Sequence, residues 1–290
     1  MNRRFTPGCL LVLGFMMSSC SPVTEAPMAE VVRESEEQIT VETKPETPDE
    51  PQVPTLVSES ISGPKESPRV FSHERGGVTF TVVTFDSRSH RLHVSDFTGG
   101  PRDGLTAESA AKTMGGIAAV NGGFFTPTGE PLGMVVSGGE VRGAWNAASS
   151  LGSGLWLETR EGHMSIRRRA GMTTASARSM RELIQAGPLL VENAKAVAGL
   201  ESEKTSARSF VLWDGDTRWA IGHCSPCSLK ETAGLLASAA PVPWRVRLAL
   251  NLDGGRSADL WADASLPGGP VTMRSFLNRP VRNYLVLVAR

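Results

Sequence analysis

Ser209-Phe-Val-Leu-Trp-Asp-Gly-Asp-Thr-Arg-Trp-Ala-Ile221 sets two runs rich in β-branched and aromatic residues on either side of an Asp-Gly pair. Asp-Gly supplies the backbone conformations of a tight turn, so the two runs read as antiparallel neighbours. The same pattern recurs outward in both directions. Val78-Thr-Phe-Thr-Val-Val-Thr-Phe85 and Arg91–Phe97 read as strands joined by a polar turn. Val135–Val141 and Leu155–Ile166, the latter turning at Glu161-Gly162, read as further hairpins. Ile117-Ala-Ala-Val120, Arg247–Leu252 and Tyr284–Val288 read as apolar strands. Helices are fewer. Thr106 caps an alanine-rich helix through Met114, Ala177–Ala186 is expected to be helical up to Gly187-Pro188, and Ser228-x-x-Glu231 is a capping box opening Leu229–Ser238. The expected class is therefore α+β: a mixed, mostly antiparallel sheet with hairpins and a few packed helices in a single domain, not a doubly wound parallel sheet.

That domain is expected to span 69–290. The chain before it divides into two pieces. Residues 1–19 have the parts of a secretory signal: Arg3 and Arg4, a short apolar run Cys9–Met17, and small Ser18-Ser19. Met17-Ser-Ser-Cys20 resembles a bacterial lipobox, which implies acylation of Cys20 and anchoring to a membrane. Ser21 rather than Asp after the cysteine points to the outer membrane, facing the periplasm. The alternative is an ordinary cleaved signal. Residues 20–68 form an acidic, proline-rich stretch: from Ser21 to Pro68 there are eight prolines, eleven acids, three bases and no aromatic residue. Such a segment cannot bury enough apolar surface to offset its ordering entropy and reads as a spacer. The whole chain balances 30 basic against 30 acidic side chains, but 69–290 holds 25 basic and 19 acidic ones. A modestly basic domain agrees with an anionic substrate. Arg167-Arg-Arg169 has no interleaved aromatics and reads as a solvated face, so nucleic acid is not an expected partner.

Several chemistries are excluded. There is no Gly-x-Ser-x-Gly elbow, Walker loop or His-Glu-x-x-His. His90 and His93, three apart on a strand, point to opposite faces and read as surface histidines. No ligand set with hard-metal spacing calls for a cation, and no cofactor is expected. Cys224-Ser-Pro-Cys227 precedes a capped helix; in an exported domain a short structural disulfide is the simplest account, with redox activity and metal ligation as alternatives. Two glycine-rich segments are more informative. Val120-Asn121-Gly122-Gly123-Phe124-Phe125 and Asn251-Leu252-Asp253-Gly254-Gly255-Arg256-Ser257 each place a polar side chain at the mouth of an apolar strand. Their glycines would let a ligand approach and turn amide donors toward it. Gln185-Ala-Gly187-Pro-Leu-Leu190 is a third hinge of this kind. Each alone could be turn chemistry.

Together these segments, with Ala207-Arg208-Ser209 and the closing Arg279-Pro-Val-Arg-Asn-Tyr-Leu285, occur in the order seen in phosphodiester glycosidases, the family of the lysosomal uncovering enzyme N-acetylglucosamine-1-phosphodiester α-N-acetylglucosaminidase. The resemblance covers most of 75–290. The Cys224–Cys227 loop and Arg256 depart from it. It implies hydrolysis of a phosphodiester-linked sugar in an envelope or extracellular glycan. Asp253 would then be nucleophile or base, Arg208 the phosphate clamp, and Asn121 and Asn251 would orient sugar hydroxyls or water. Gly122, Gly123, Gly254 and Gly255 would supply amides, and Gln185, Gly187 and Ser257 complete the expected contact set. Alternatives are a lipoprotein that holds an anionic glycan without cleaving it, and thiol chemistry at Cys224/Cys227.

Overall fold

The structure is a computed structural model that describes residues 64–97, 106–278 and 281–290, all within the compact unit Ser60–Arg290. The signal sequence, Cys20, most of the spacer, Arg279 and Pro280 lie outside the described residues.

In chain order the strands begin with β1 (Arg69–Arg75), β2 (Val78–Asp86), β3 (His90–Asp96), β4 (Ala118–Asn121), β5 (Val135–Ser137) and β6 (Glu140–Arg142). They continue with β7 (Gly154–Glu158), β8 (Met164–Arg168), β9 (Glu182–Ala186), β10 (Leu189–Glu192), β11 (Lys195–Ala196) and β12 (Ser206–Trp213). The series closes with β13 (Arg218–Cys227), β14 (Leu248–Asn251), β15 (Asp259–Ala262), β16 (Val271–Arg274) and β17 (Asn283–Ala289). Three α-helices are described: α1 (Ala107–Thr113), α2 (Thr174–Arg178) and α3 (Leu229–Ser238).

The strands form a seven-stranded sheet in the order β1-β2-β13-β12-β14-β10-β11 and two five-stranded sheets, β16-β15-β4-β17-β3 and β6-β5-β9-β7-β8. All described pairings are antiparallel. The antiparallel, hairpin-rich character with a few helices is as expected, but the strands divide among three sheets rather than one mixed sheet. The β12–β13 hairpin pairs Trp213 with Trp219 across its Asp-Gly turn, and the two indoles stack with centroids 4.9 Å apart.

The three sheets share one core. Val83, Leu92, Val120, Trp156, Ile184 and Leu285 come from all three and are each at most 1% exposed. Their immediate neighbours face the other way. Val82, Phe210 and Leu212 pack with α3, while Tyr284, Val286 and Ala119 pack with α1. Burial on both faces is why these strands read as near-continuous apolar runs instead of alternating ones. Truncating a fully buried ring such as Trp156 costs about 3–5 kcal/mol.

Two local readings are corrected. Ala177–Ala186 is not a helix: α2 ends at Arg178, and Glu182–Ala186 is β9, in the middle of its sheet. Glu, Leu, Gln and Ala favour helix intrinsically, but the strand buries all five residues. It also gives the enclosed Glu182 carboxylate two partners, the Val94 amide at 3.1 Å and His93 Nδ1 at 2.7 Å. His93 is thus half-buried against an acid rather than on the surface. The second correction concerns Cys224–Cys227, which is the end of β13 rather than a loop.

Both caps fell where expected. Thr106 forms a reciprocal box with Ser109, and Ser228 Oγ accepts the Glu231 amide at 3.1 Å.

Candidate functional site

The end of β4, the end of β14 and the start of β12 meet at one edge. Phe210 is registered with Asn251, and the Leu252 amide donates to Ser209 O at 2.9 Å. Here a cleft of about 810 Å³ opens, and Gly187, Arg208, Asn251, Asp253, Gly254 and Gly255 all line it. A smaller cavity of about 190 Å³ adjoins it; Phe124, Asp253, Gly254 and Arg256 border both, and Ser257 lines only the smaller one.

Arg208 is 8% exposed. Its Nε donates to Cys227 O at 3.1 Å and its Nη2 to Lys204 O at 2.8 Å. No carboxylate among the described residues forms an ion pair with it. Arginine cannot shed its proton, and neutral carbonyls satisfy hydrogen bonds without cancelling charge. An anion entering the cleft would complete this site. The mount for Arg208 is an irregularity in the hairpin. Ser206 is registered with Cys227 and Arg208 with Cys224, so β13 carries an extra residue there.

Asp253 sits on a loop fixed from below. Its amide donates to Gly122 O at 3.0 Å, its carbonyl accepts Asn121 Nδ2 at 2.7 Å, and its Oδ1 accepts the Gly254 amide at 2.9 Å. Gly254 lets this loop lie against the Arg208 strand; a Cβ there would come within 2.8 Å of Ala207 O. Gly255 has φ +63°, which favours glycine. Asn251 Nδ2 donates to Gly187 O at 2.9 Å and Leu252 O at 2.8 Å, while its buried Oδ1 has no hydrogen-bond partner. An unsatisfied acceptor at a cleft wall is suited to a ligand hydroxyl.

Four expected contact residues lie behind the wall instead. Asn121 is fully buried: besides holding Asp253 O, its Oδ1 accepts Ser209 Oγ at 2.6 Å and the Asp259 amide at 3.0 Å. With no exposed surface its side chain is sealed from the cleft, so Asn121 positions the Asp253 loop. The amides of Gly122 and Gly123 donate to Asn283 O at 2.8 Å and Asn283 Oδ1 at 2.7 Å, not to a ligand. A Cβ on Gly122 would lie 2.1 Å from Asn283 Oδ1, so close packing explains that glycine. Gln185 makes four hydrogen bonds: its Oε1 accepts from Met134 N and Asn146 N, and its Nε2 donates to Asn146 O and Gly152 O, all at 2.8–3.0 Å. It ties loops together.

The Cys224 and Cys227 sulfurs are 3.5 Å apart and not bonded, too far for the expected disulfide, whose S–S distance is about 2.05 Å. The hydrogen bond from Cys224, helped by Thr232, draws the Cys227 thiol down to about 7. Cys224 is pushed up by the same bond and by burial. Among the described residues no three His, Cys, Asp or Glu side chains converge as a metal site.

Sequence reasoning missed Phe124, Lys204 and Arg256 as cleft residues and Asn283 as the partner of the first glycine pair. Phe124, Arg256 and Asn283 lay inside the segments that carried the family resemblance; Lys204 had no signal.

Residues 114–288 match a protein family described as phosphodiester glycosidase. Among solved structures, the chain is similar to the zebrafish N-acetylglucosamine-1-phosphodiester alpha-N-acetylglucosaminidase catalytic domain auto-inhibited by its pro-peptide. That match has 19% identity and a TM-score of 0.56, covering 79% of this chain and 85% of that one. A hypothetical protein from Synechocystis is similar at 17% identity and a TM-score of 0.51, covering 77% of this chain and 61% of that one. At such identities the likeness is one of fold. No curated protein matches the sequence.

Proposed function

Because the chain belongs to the phosphodiester glycosidase family, we propose that it hydrolyses a sugar-1-phosphodiester in this cleft. The observation that carries the reading is a buried guanidinium held, among the described residues, by neutral carbonyls, in the same cleft as Asp253. Arg208 binds the phosphate, with Lys204 and Arg256 adding positive charge around it. Asn251 Oδ1 accepts a substrate hydroxyl.

The bond between the anomeric carbon and its oxygen breaks, and the electron pair leaves with the oxygen on a phosphate monoester. The second pKa of such a monoester is about 6, so it departs without a dedicated acid. Asp253 either attacks the anomeric carbon and is later displaced by water, or takes the proton of the attacking water. In both routes water supplies the new hydroxyl, and its proton passes to solvent. The test is release of reducing sugar from a synthetic sugar-1-phosphodiester. Equal signal from the wild type and Asp253→Asn would sink the proposal.

One observation favours a second reading, retention of an anionic glycan without turnover. Most glycosidases use two carboxyls, and among the described residues the cleft presents Asp253 and Glu201. Glu201 Oε1 is engaged by the amides of Glu203 and Lys204. Arg208-dependent binding of a diester with no sugar released would establish that reading. Location at the cell envelope is also part of the proposal and rests on Met1–Ser19 and Cys20. Cys20→Ser is expected to move the protein from the membrane to the soluble fraction on cell fractionation.

A further inference from the structure

We propose that the alcohol half of the diester is an apolar chain, so that the substrate class is a sugar-1-phosphate ester of an alkyl-type alcohol rather than a sugar–phosphate–sugar diester. The inference rests on the reading above and deepens it. Asp253 stands where the two cavities meet. The smaller, of about 190 Å³, is bordered by Ser257, Arg256 and Phe124 and suits one polar ring. The larger, of about 810 Å³, holds Arg208 and has room beyond the phosphate for a second group.

Most of that remaining wall is apolar. Leu151, Pro188, Val197, Leu200 and Leu229 all face the cleft. Leu151 is 36% exposed, and Val197, Leu200 and Leu229 are only partly buried against the cores beneath them. A second sugar would need several hydrogen-bonding side chains on this wall. The polar side chains here are Ser150, Ser206, Lys204 and Glu201; Lys204 is taken up with the phosphate, and Glu201 already holds two backbone amides. Concave apolar surface continuous with a buried cation fits an amphiphilic phosphate better than a hydrated sugar.

The test is a series of diesters of one sugar 1-phosphate with methyl, butyl and hexyl alcohols and with a second sugar. Full burial of a methylene corresponds to about a fourfold gain, so a half-open wall gives about twofold per methylene and about 30-fold in kcat/KM from methyl to hexyl. Leu151→Ser and Leu200→Ser are each expected to cut the hexyl-to-methyl ratio about threefold. The exposed position of Leu151 keeps folding out of the comparison. Hydrolysis with no chain-length trend, or with the sugar-linked diester preferred, would overturn this proposal and leave the hydrolase reading standing.

Calorimetric titration of methyl and hexyl phosphate supplies a readout independent of turnover. If no diester is cleaved, the hydrolase reading falls, and tighter binding of hexyl phosphate still decides for the apolar wall. Equal binding decides against it. Comparing a long-chain diester in phospholipid vesicles with the hexyl diester free in solution separates the two sources of such a substrate. Faster turnover in vesicles assigns it to a membrane lipid, and slower turnover to a soluble ester; both support an apolar alcohol.

Discussion

Two loops leave buried strands through an asparagine followed closely by a pair of glycines: Asn121–Phe125 after β4 and Asn251–Ser257 after β14. In the first, the asparagine and both glycine amides are consumed by internal hydrogen bonds to Ser209, Asp253, Asp259 and Asn283. In the second, the asparagine keeps an acceptor unsatisfied, and Asp253, Gly254 and Gly255 line the cleft. What separates them is a third party. Asn283, at the start of β17, occupies the place beside Gly122 and Gly123 that a ligand would take, whereas the β14 loop lines the cleft. The first loop holds the second in position: Asn121 and Gly122 grip the two ends of the Asp253 peptide unit. Similar local chemistry thus serves as scaffold in one place and as a working surface in the other.

The comparison breaks most clearly at Asp253. Asp253→Asn is expected to lower kcat for sugar release by about 10³-fold, with the thermal midpoint unchanged; a large loss of stability would move the β14 loop into the scaffold class. Arg208→Met is expected to reduce kcat/KM by about 100-fold. Its midpoint should be unchanged or higher, because a buried charge with no carboxylate partner among the described residues disappears. Differential scanning fluorimetry beside the activity assay checks both halves.

Gly122→Ala should do the reverse, costing about 1–3 kcal/mol through overpacking against Asn283, read from urea unfolding. Asn251→Ala sharpens the contrast on the other loop: a several-fold rise in KM, with stability lowered by about 1 kcal/mol through its two donated hydrogen bonds.

The smallest effect is one of pH. His223, registered with the Ser209 that supports Asn121, is drawn down from 6.5 to about 4 by burial. The unfolded chain takes up that proton as pH falls from about 6.5 toward 4 while the folded one does not, so stability declines through this window. His223→Gln is expected to flatten that acid limb in urea midpoints measured at pH 7 and 4.5.

Much of the fold was legible because hairpins announce themselves locally. Asp214-Gly215 and Glu161-Gly162 each marked a real turn, and Thr106 and Ser228 each capped a real helix. The failure at Glu182–Ala186 came where helix-favouring side chains are overruled by neighbours distant in sequence, Val94 and His93 among them. The site was legible to the same degree. Arg208, Asn251 and Asp253 do share a cleft, but whether an amide is available depends on who stands opposite it. Nothing within Asn121–Gly123 foretells Asn283, 160 residues from Gly123.

Arg208 is held by the carbonyls of Cys227 and Lys204, so its place is set by the hairpin and the preceding loop rather than by a countercharge. Among the described residues there is therefore no carboxylate for a ligand to displace from it. The reorganisation that usually accompanies anion capture is completed during folding, and added salt acts on encounter with the cleft more than on the geometry within it.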